Sequence, residues 1–187
     1  SGGGRNVLNG GGGTNQYVVS GTLDQIVDSG QDSIIRSSVS YDLSSSLNSG
    51  VNHLEFTGSG NATLRGNAAD NSIRGGLGND VLQGCPTNRV NPGANQVDTL
   101  TGGGGTDVFV LGTRAAGAFY LSGGGSDYAV ITDFSIGKDR LQLRGMASDY
   151  QLNGSELMYR GDLIARFEQI GGPEMTFENT VSKSTFV

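Results

Sequence analysis

Charge, lysine, cysteine, proline and histidine are all scarce in this chain of 187 residues, and each shortage closes off a class of function. Charged residues make up 16%, with 18 acids against 12 bases and a net charge of −6, and no lysine occurs before Lys138. Binding to nucleic acid or to an anionic membrane needs clustered Lys and Arg, so neither partner is expected. One cysteine, Cys85, excludes an internal disulfide framework and supplies too few thiolates for a cysteine-based zinc site. No apolar run approaches the roughly 18 residues of a membrane span, and the opening SGGGRNVLNG lacks a signal-peptide pattern. Any export is therefore expected to use another route, or the sequence is part of a longer chain. Three prolines and 35% hydrophobic residues argue against collagen and against a structureless tract, so ordered structure is expected.

What is abundant is glycine, 33 residues or about 18% against a usual value near 7%, together with short carboxylates, since 13 of the 18 acids are Asp. The glycines recur with a period of nine. Residues 75–83 read GGLGNDVLQ and 102–110 read GGGGTDVFV, both fitting G-G-x-G-x-D-x-U-x with U a large apolar residue. In the same phase, 93–101 (GANQVDTLT) keeps Asp98 and Leu100, whereas 66–74 (GNAADNSIR) and 57–65 (TGSGNATLR) keep Ile73 and Leu64 with Asn71 and Ala62 at the sixth place. Three nonamers run unbroken over 1–27, with Asn6, Asn15 and Asp24 sixth and Leu8, Tyr17 and Ile26 eighth. The unit 122–130, SGGGSDYAV, places Asp127 sixth and Ala129 eighth. The 20 residues of 37–56 and the 11 between Val110 and Ser122 each exceed a multiple of nine by two, which two-residue bulges in a continuing coil would explain.

These repeats predict an all-β fold, a parallel β-roll or β-solenoid in which a six-residue glycine turn alternates with a three-residue strand whose middle side chain points inward. Two nonamers make one turn of about 18 residues, and turns stack about 4.8 Å apart. The roll is expected over 1–130, with degenerate repeats in 1–74 and the best repeats in 75–127. The alternation of Val39, Tyr41 and Leu43 marks a further strand. Composition changes after 130, where ITDF, DRLQLRG, YQLNGSELMYRGDLIARF and MTFENTVSKSTFV read as strands with turns at Asn153-Gly154 and Arg160-Gly161-Asp162. Residues 131–187 are thus expected to cap the open coil with hairpins.

A G-G-x-G-x-D turn aims peptide carbonyls inward and adds one carboxylate, an oxygen-only set suited to Ca²⁺. Two such turns sandwich an ion when their Asp residues lie on adjacent rungs. Asp80 and Asp98 have the offset of one 18-residue turn, whereas looping out 84–92 would stack Asp80 with Asp107; Pro86 and Pro92 fit poorly in a parallel ladder and favour the loop. At the sixth places occupied by Asn, an asparagine turn or ladder without metal is the favoured reading. Asp133 and Asp139 in ITDFSIGKD are either ligands of a further ion or ordinary charged turn residues.

The stretch resembles the RTX family of haemolysin-type calcium-binding repeats, on GGLGND at 75–80, GGGGTD at 102–107 and the weaker units around them. GNAADNSIRGGLGNDVLQG and NPGANQVDTLTGGGGTDVFVLG look like cyanobacterial members. The resemblance implies a parallel β-roll, calcium-dependent folding and type I secretion directed from the C-terminus. It also implies ligands: the carbonyls of Gly75, Gly76, Leu77 and Gly78 with Asp80, those of Gly102, Gly103, Gly104 and Gly105 with Asp107, Asp98 as a side chain, and Ser122 to Gly125 with Asp127. The tail VSKSTFV looks like the family's uncleaved export signal or a final strand.

Catalytic readings fare worse. No lysine follows an early glycine run as a P-loop requires, and Val81 and Val108 stand where a dinucleotide fingerprint needs its third glycine. His53, the only histidine, reads as a strand residue, and nothing orients Cys85 toward it as a nucleophile. Scattered carboxylates can mimic a glycosidase pair, but the phased Asp residues already serve a metal. The expectation is a non-enzymatic calcium-binding module, secreted or at the cell surface, with type I secretion machinery and a cell-surface or matrix molecule as candidate partners. An adhesion module and the tail of a secreted polysaccharide-acting or hydrolytic enzyme are the alternatives.

Overall fold

The computed structural model describes residues 6–21, 24–44, 50–121, 124–172, 175–181 and 184–187. Short strands wind into a coil with two faces. One face, sheet I, stacks Gln16–Val19, Ser33–Ser37, Val51–Phe56, Ser72–Gly76, Val97–Gly103, Tyr128–Ile131 and Asp162–Phe167, all parallel. The other, sheet II, stacks Tyr41–Asp42, Thr63–Arg65, Val81–Gln83, Val108–Val110, Arg140–Leu143 and Thr185–Phe186, also parallel. A separate parallel pair, Val7–Gly11 with Gln25–Asp28, precedes sheet II in chain order.

The eighth residue of each nonamer builds the core. Tyr17, Ile35, Leu54, Ile73, Leu100, Ile131 and Phe167 stand in register along sheet I, and Tyr41, Leu64, Leu82, Phe109 and Leu141 along sheet II. All are buried, each burial being worth about 1.5–3 kcal/mol for the large aliphatic and Phe side chains. Because one nonamer offers only one such residue, no turn has a core of its own, and stability accumulates by stacking. Phe109, Phe134 and Phe167 close the core toward the C-terminal end, with ring centroids 6.0 and 5.2 Å apart.

Turn length departs from 18 where the chain makes excursions. Tyr17 faces Ile35 and Leu64 faces Leu82 across 18 residues, but Ile73 faces Leu100 across 27 and Leu100 faces Ile131 across 31. Residues 84–96 leave the coil between Val81–Gln83 and Val97–Gly103. The 11 residues after Val110 are not a nonamer with a bulge: they carry a small antiparallel hairpin, Gly112–Thr113 against Gly117–Ala118. Around 33–56 the irregularity is a bulge where Ser33 faces Val51 and Ile34 faces His53.

The coil also outlasts residue 130. Arg140–Leu143 and Asp162–Phe167 are still parallel rungs, because Leu141 and Phe167 keep the inward apolar place. The cap proper is an antiparallel meander, Tyr150–Asn153 and Glu156–Tyr159 laid on Asp162–Phe167, which covers an edge otherwise open to strand addition. Its second turn has positive φ at both central residues, Arg160 (52°) and Gly161 (90°), matching the twist of a tight hairpin. In the segment MTFENTV one turn of helix, Phe177–Thr180, replaces the expected strand, while Thr185–Phe186 adds the last short strand of sheet II.

Candidate metal centre

The coil has two edges, one where the chain passes from sheet I to sheet II and one where it returns. The first edge carries the turns 57–62, 75–80, 102–107 and 134–139. Here Val81 faces both Thr63 and Val108, and Val108 faces Arg140. The sixth-place column is therefore Ala62, Asp80, Asp107 and Asp139. Asp107, not Asp98, stands above Asp80.

Each carboxylate reaches down one rung. Oδ1 of Asp80 accepts the Ala62 N–H at 2.7 Å, Oδ1 of Asp107 accepts the Asp80 N–H at 2.8 Å, and Oδ1 of Asp139 accepts the Asp107 N–H at 2.9 Å. The fifth places link rungs in the opposite sense, the Asn61 and Asn79 side-chain oxygens reaching up to accept the N–H groups of Asn79 and Thr106. Oδ2 of Asp80 is buried with no hydrogen-bond partner, which would cost about 1–3 kcal/mol or more for a charged group.

Glycine is demanded where these oxygens converge. A Cβ on Gly75 would lie 2.3 Å from the Gly102 carbonyl oxygen and 2.5 Å from Asp80 Oδ2, and a Cβ on Gly102 would lie 2.3 Å from Asp107 Oδ2. The other turn residues pack rung on rung. Gly76 faces Gly103 and its carbonyl accepts the Gly104 N–H, while a Cβ on Gly105 would meet the Gly78 carbonyl oxygen at 2.3 Å. Gly103 and Gly105 hold φ of 96° and 115°, a region that costs other residues. Leu77 is 76% exposed, so its side chain takes no part and only its peptide group remains a candidate.

Charge accumulates along this edge. Burial, then the neighbouring charges of Asp139, Asp80 and Asp133, push the Asp107 carboxyl up to about 6. Burial likewise raises Asp80 and Asp139. Among the described residues no three His, Cys, Asp or Glu side chains gather into a metal cluster. Each turn offers one carboxylate, and the remaining donors must be peptide oxygens. That all-oxygen set, with a buried carboxylate oxygen lacking a partner and a cradle a Cβ would fill, fits a hard cation such as Ca²⁺.

The return edge is built differently. Asp98 is fully buried, but its Oδ1 accepts the Asn71 N–H at 2.8 Å and its Oδ2 accepts the Tyr120 O–H at 2.7 Å. Burial pushes its carboxyl up to about 6 as well. The asparagines serve as donors: Asn71 Nδ2 reaches the Asn67 and Ala69 carbonyls and Asp98, and Asn15 Nδ2 reaches the Gly13 carbonyl and Asp28. On the first edge, Asn6 Nδ2 donates to Asp24 Oδ1 at 2.7 Å.

Asp127 does not stand at the sixth place that the repeat predicts for it. Ile131, not Ala129, faces Leu100, so Ala129 faces Asp98 and Asp127 lies two residues before the sixth place. The larger Ile fills the core position that Ala would leave empty. Asp127 Oδ2 accepts the Asn95 N–H at 3.1 Å and its Oδ1 is buried without a partner, and Ser122 and Gly123 lie outside the described residues. The sixth-place carboxylate that continues the first edge is Asp139, whose signal in the sequence is Gly137-x-Asp139-x-Leu141, the G-x-D-x-U end of a nonamer. Asp133 is engaged differently, both its oxygens accepting the N–H groups of Gly102 and Gly103. His53 sits half-buried on sheet I between Ile34 and Ser72.

A stack of glycine-bearing turns over apolar rungs, with inward aspartates at Asp80, Asp107 and Asp139, defines a parallel β-roll of the calcium-binding kind. The family model described as the RTX calcium-binding nonapeptide repeat matches the chain in four copies, over residues 1–20, 56–84 and 93–113. These segments are similar to RTX calcium-binding nonapeptide repeats. No curated protein matches the sequence.

Proposed function

We propose that this calcium-binding β-roll tightens on binding Ca²⁺ outside the cell and so serves the export and stability of a secreted or surface protein, without catalysis of its own. The observation that carries the reading is the first-edge column. Asp80, Asp107 and Asp139 succeed one another on adjacent rungs, and Asp80 Oδ2 is buried without a partner.

In the metal-free roll these carboxylates repel and are held from water. Asp80 and Asp107 would hold the ion with peptide oxygens of 75–78 and 102–105. Bound there, Ca²⁺ supplies the positive charge that both carboxylates lack, and binding energy becomes folding energy. Low calcium during export and high calcium outside would then leave the chain loose in transit and firm at its destination. The acidic, aspartate-rich composition and the lack of an early lysine agree with such a role.

Circular dichroism during calcium titration tests this. The expected result is a gain of β signal and of melting temperature on moving from chelator to millimolar-range calcium, the extracellular regime. An unchanged spectrum and melting curve would sink it.

A further inference from the structure

We infer that the Asp98 turn of the return edge is closed to calcium by the protein itself, the Tyr120 hydroxyl standing where a cation at Asp98 would have to sit. The inference rests on the reading that calcium binds the first edge. Gly84 opens the turn that Asp98 closes, as Gly75 opens the turn that Asp80 closes. A Cβ on Gly84 would lie 2.5 Å from Asp98 Oδ2 and 2.3 Å from the Tyr120 hydroxyl. The carboxylate oxygen thus lies against its glycine on both edges. On the first edge that oxygen has no partner, whereas on the return edge a hydroxyl donates to it at 2.7 Å.

The seat for Tyr120 is elaborate. The residue is fully buried with φ at +58°, a conformation side chains other than glycine rarely take, and such outliers point to a retained role. Its N–H donates to the Pro92 carbonyl, and a Cβ on Gly93 would collide with its ring at 2.6 Å. Both excursions from the coil, 84–96 and the hairpin segment ending at Tyr120, therefore meet at this hydroxyl. The neighbouring oxygens are also taken, since Gln96 Nε2 donates to the carbonyls of Asn67 and Ala69. Nearer the N-terminus the same edge repeats the solution, Tyr17 donating its hydroxyl to Asp28 Oδ2 at 2.7 Å.

A neutral O–H donor meets a buried carboxylate in chelator as well as in calcium. The Asp98 rung then keeps its order without metal, while the Asp80–Asp107 pair closes when calcium arrives. Calorimetric titration with Ca²⁺, ion counting by native mass spectrometry and thiol labelling test this together. Asp98→Asn and Tyr120→Phe should keep the ion count and affinity of the parent chain, whereas Asp80→Asn should lose an ion or weaken binding about tenfold or more, through the lost ligand charge. Cys85, the only thiol, is buried beside the Tyr120 hydroxyl, so its labelling in the parent chain should stay equally slow with and without calcium. Loss of an ion in a folded Asp98→Asn would overturn the inference, as would Cys85 labelling in the parent chain that differs between chelator and calcium, a readout that stands even if a variant misfolds. A parent chain that binds no calcium at all would instead refute the first-edge site.

Discussion

Replacing Asp107 by Asn should stabilise the metal-free roll and destabilise the calcium-loaded one. Asn keeps the side-chain oxygen that accepts the Asp80 N–H at 2.8 Å, so the rung-to-rung hydrogen bond survives. It removes a charge held among Asp139, Asp80 and Asp133 in a carboxyl whose pKa stands at about 6. Keeping that group ionised at about pH 7.5 costs the metal-free fold about 1–3 kcal/mol, the lower end allowing for solvent screening. For a chain of this size the variant's melting temperature in chelator should therefore rise by about 2–8 °C. In calcium the same change removes ligand charge. A tenfold weaker site forfeits about 1.4 kcal/mol of binding-linked stability, beyond the electrostatic relief that calcium already provides. Differential scanning fluorimetry of both proteins, with chelator and across a calcium series, gives the two signs directly. A shift of the same sign and size in both conditions would refute the idea that Asp107 is a cation ligand stacked among like charges.

Three further outcomes follow from the geometry. Gly102→Ala should weaken calcium binding and destabilise the protein, because its Cβ would lie 2.3 Å from Asp107 Oδ2, while Gly104→Ala, with its nearest neighbour at 3.6 Å, should be tolerated; equal calcium titrations for the pair would contradict the cradle. The metal-free roll should lose stability as pH rises from about 4 to about 6, because Asp98 and Asp107 hold protons more tightly folded than unfolded and their ionisation then falls on the folded state. Saturating calcium should remove the Asp107 share of that slope and leave the Asp98 share, which melting curves against pH will show. Asp28→Ala should lower the melting temperature by similar amounts with and without calcium and leave calcium affinity alone, since Asp28 accepts the Tyr17 O–H and the Gly30 N–H on the return edge; a selective loss of calcium response would assign it to a metal site.

Much of the architecture is local and so could be read from residues. An apolar side chain every ninth place, preceded two residues earlier by Asp or Asn and earlier still by glycines, carries its own instruction for turn and strand. Leu64, Ile73, Leu82, Leu100 and Phe109 all occupy the inward place that this period assigns. The same rule makes Gly75 and Gly102 intelligible, since each is crowded by the carboxylate of its own turn.

Which turn lies above which is not local. Excursions carry no period, so the rung on which the chain re-enters is chosen by the ladder and the core. A shift of two residues keeps the inward and outward faces unchanged, and alternation alone cannot separate Ala129 from Ile131 as the residue above Leu100. Volume in the core decides for Ile131, which takes Asp127 out of the column. Likewise the 84–96 excursion brings Asp107 over Asp80 and leaves Asp98 on the opposite edge. The Tyr120 hydroxyl against Asp98 comes from a segment 22 residues away in the chain that no repeat describes. The sequence by itself thus determined the repeat, its inward residues and the oxygen chemistry of its turns, because these depend on neighbours within one nonamer. The tertiary structure alone decided which carboxylates share an edge and which are already satisfied, because that depends on where distant turns come to rest.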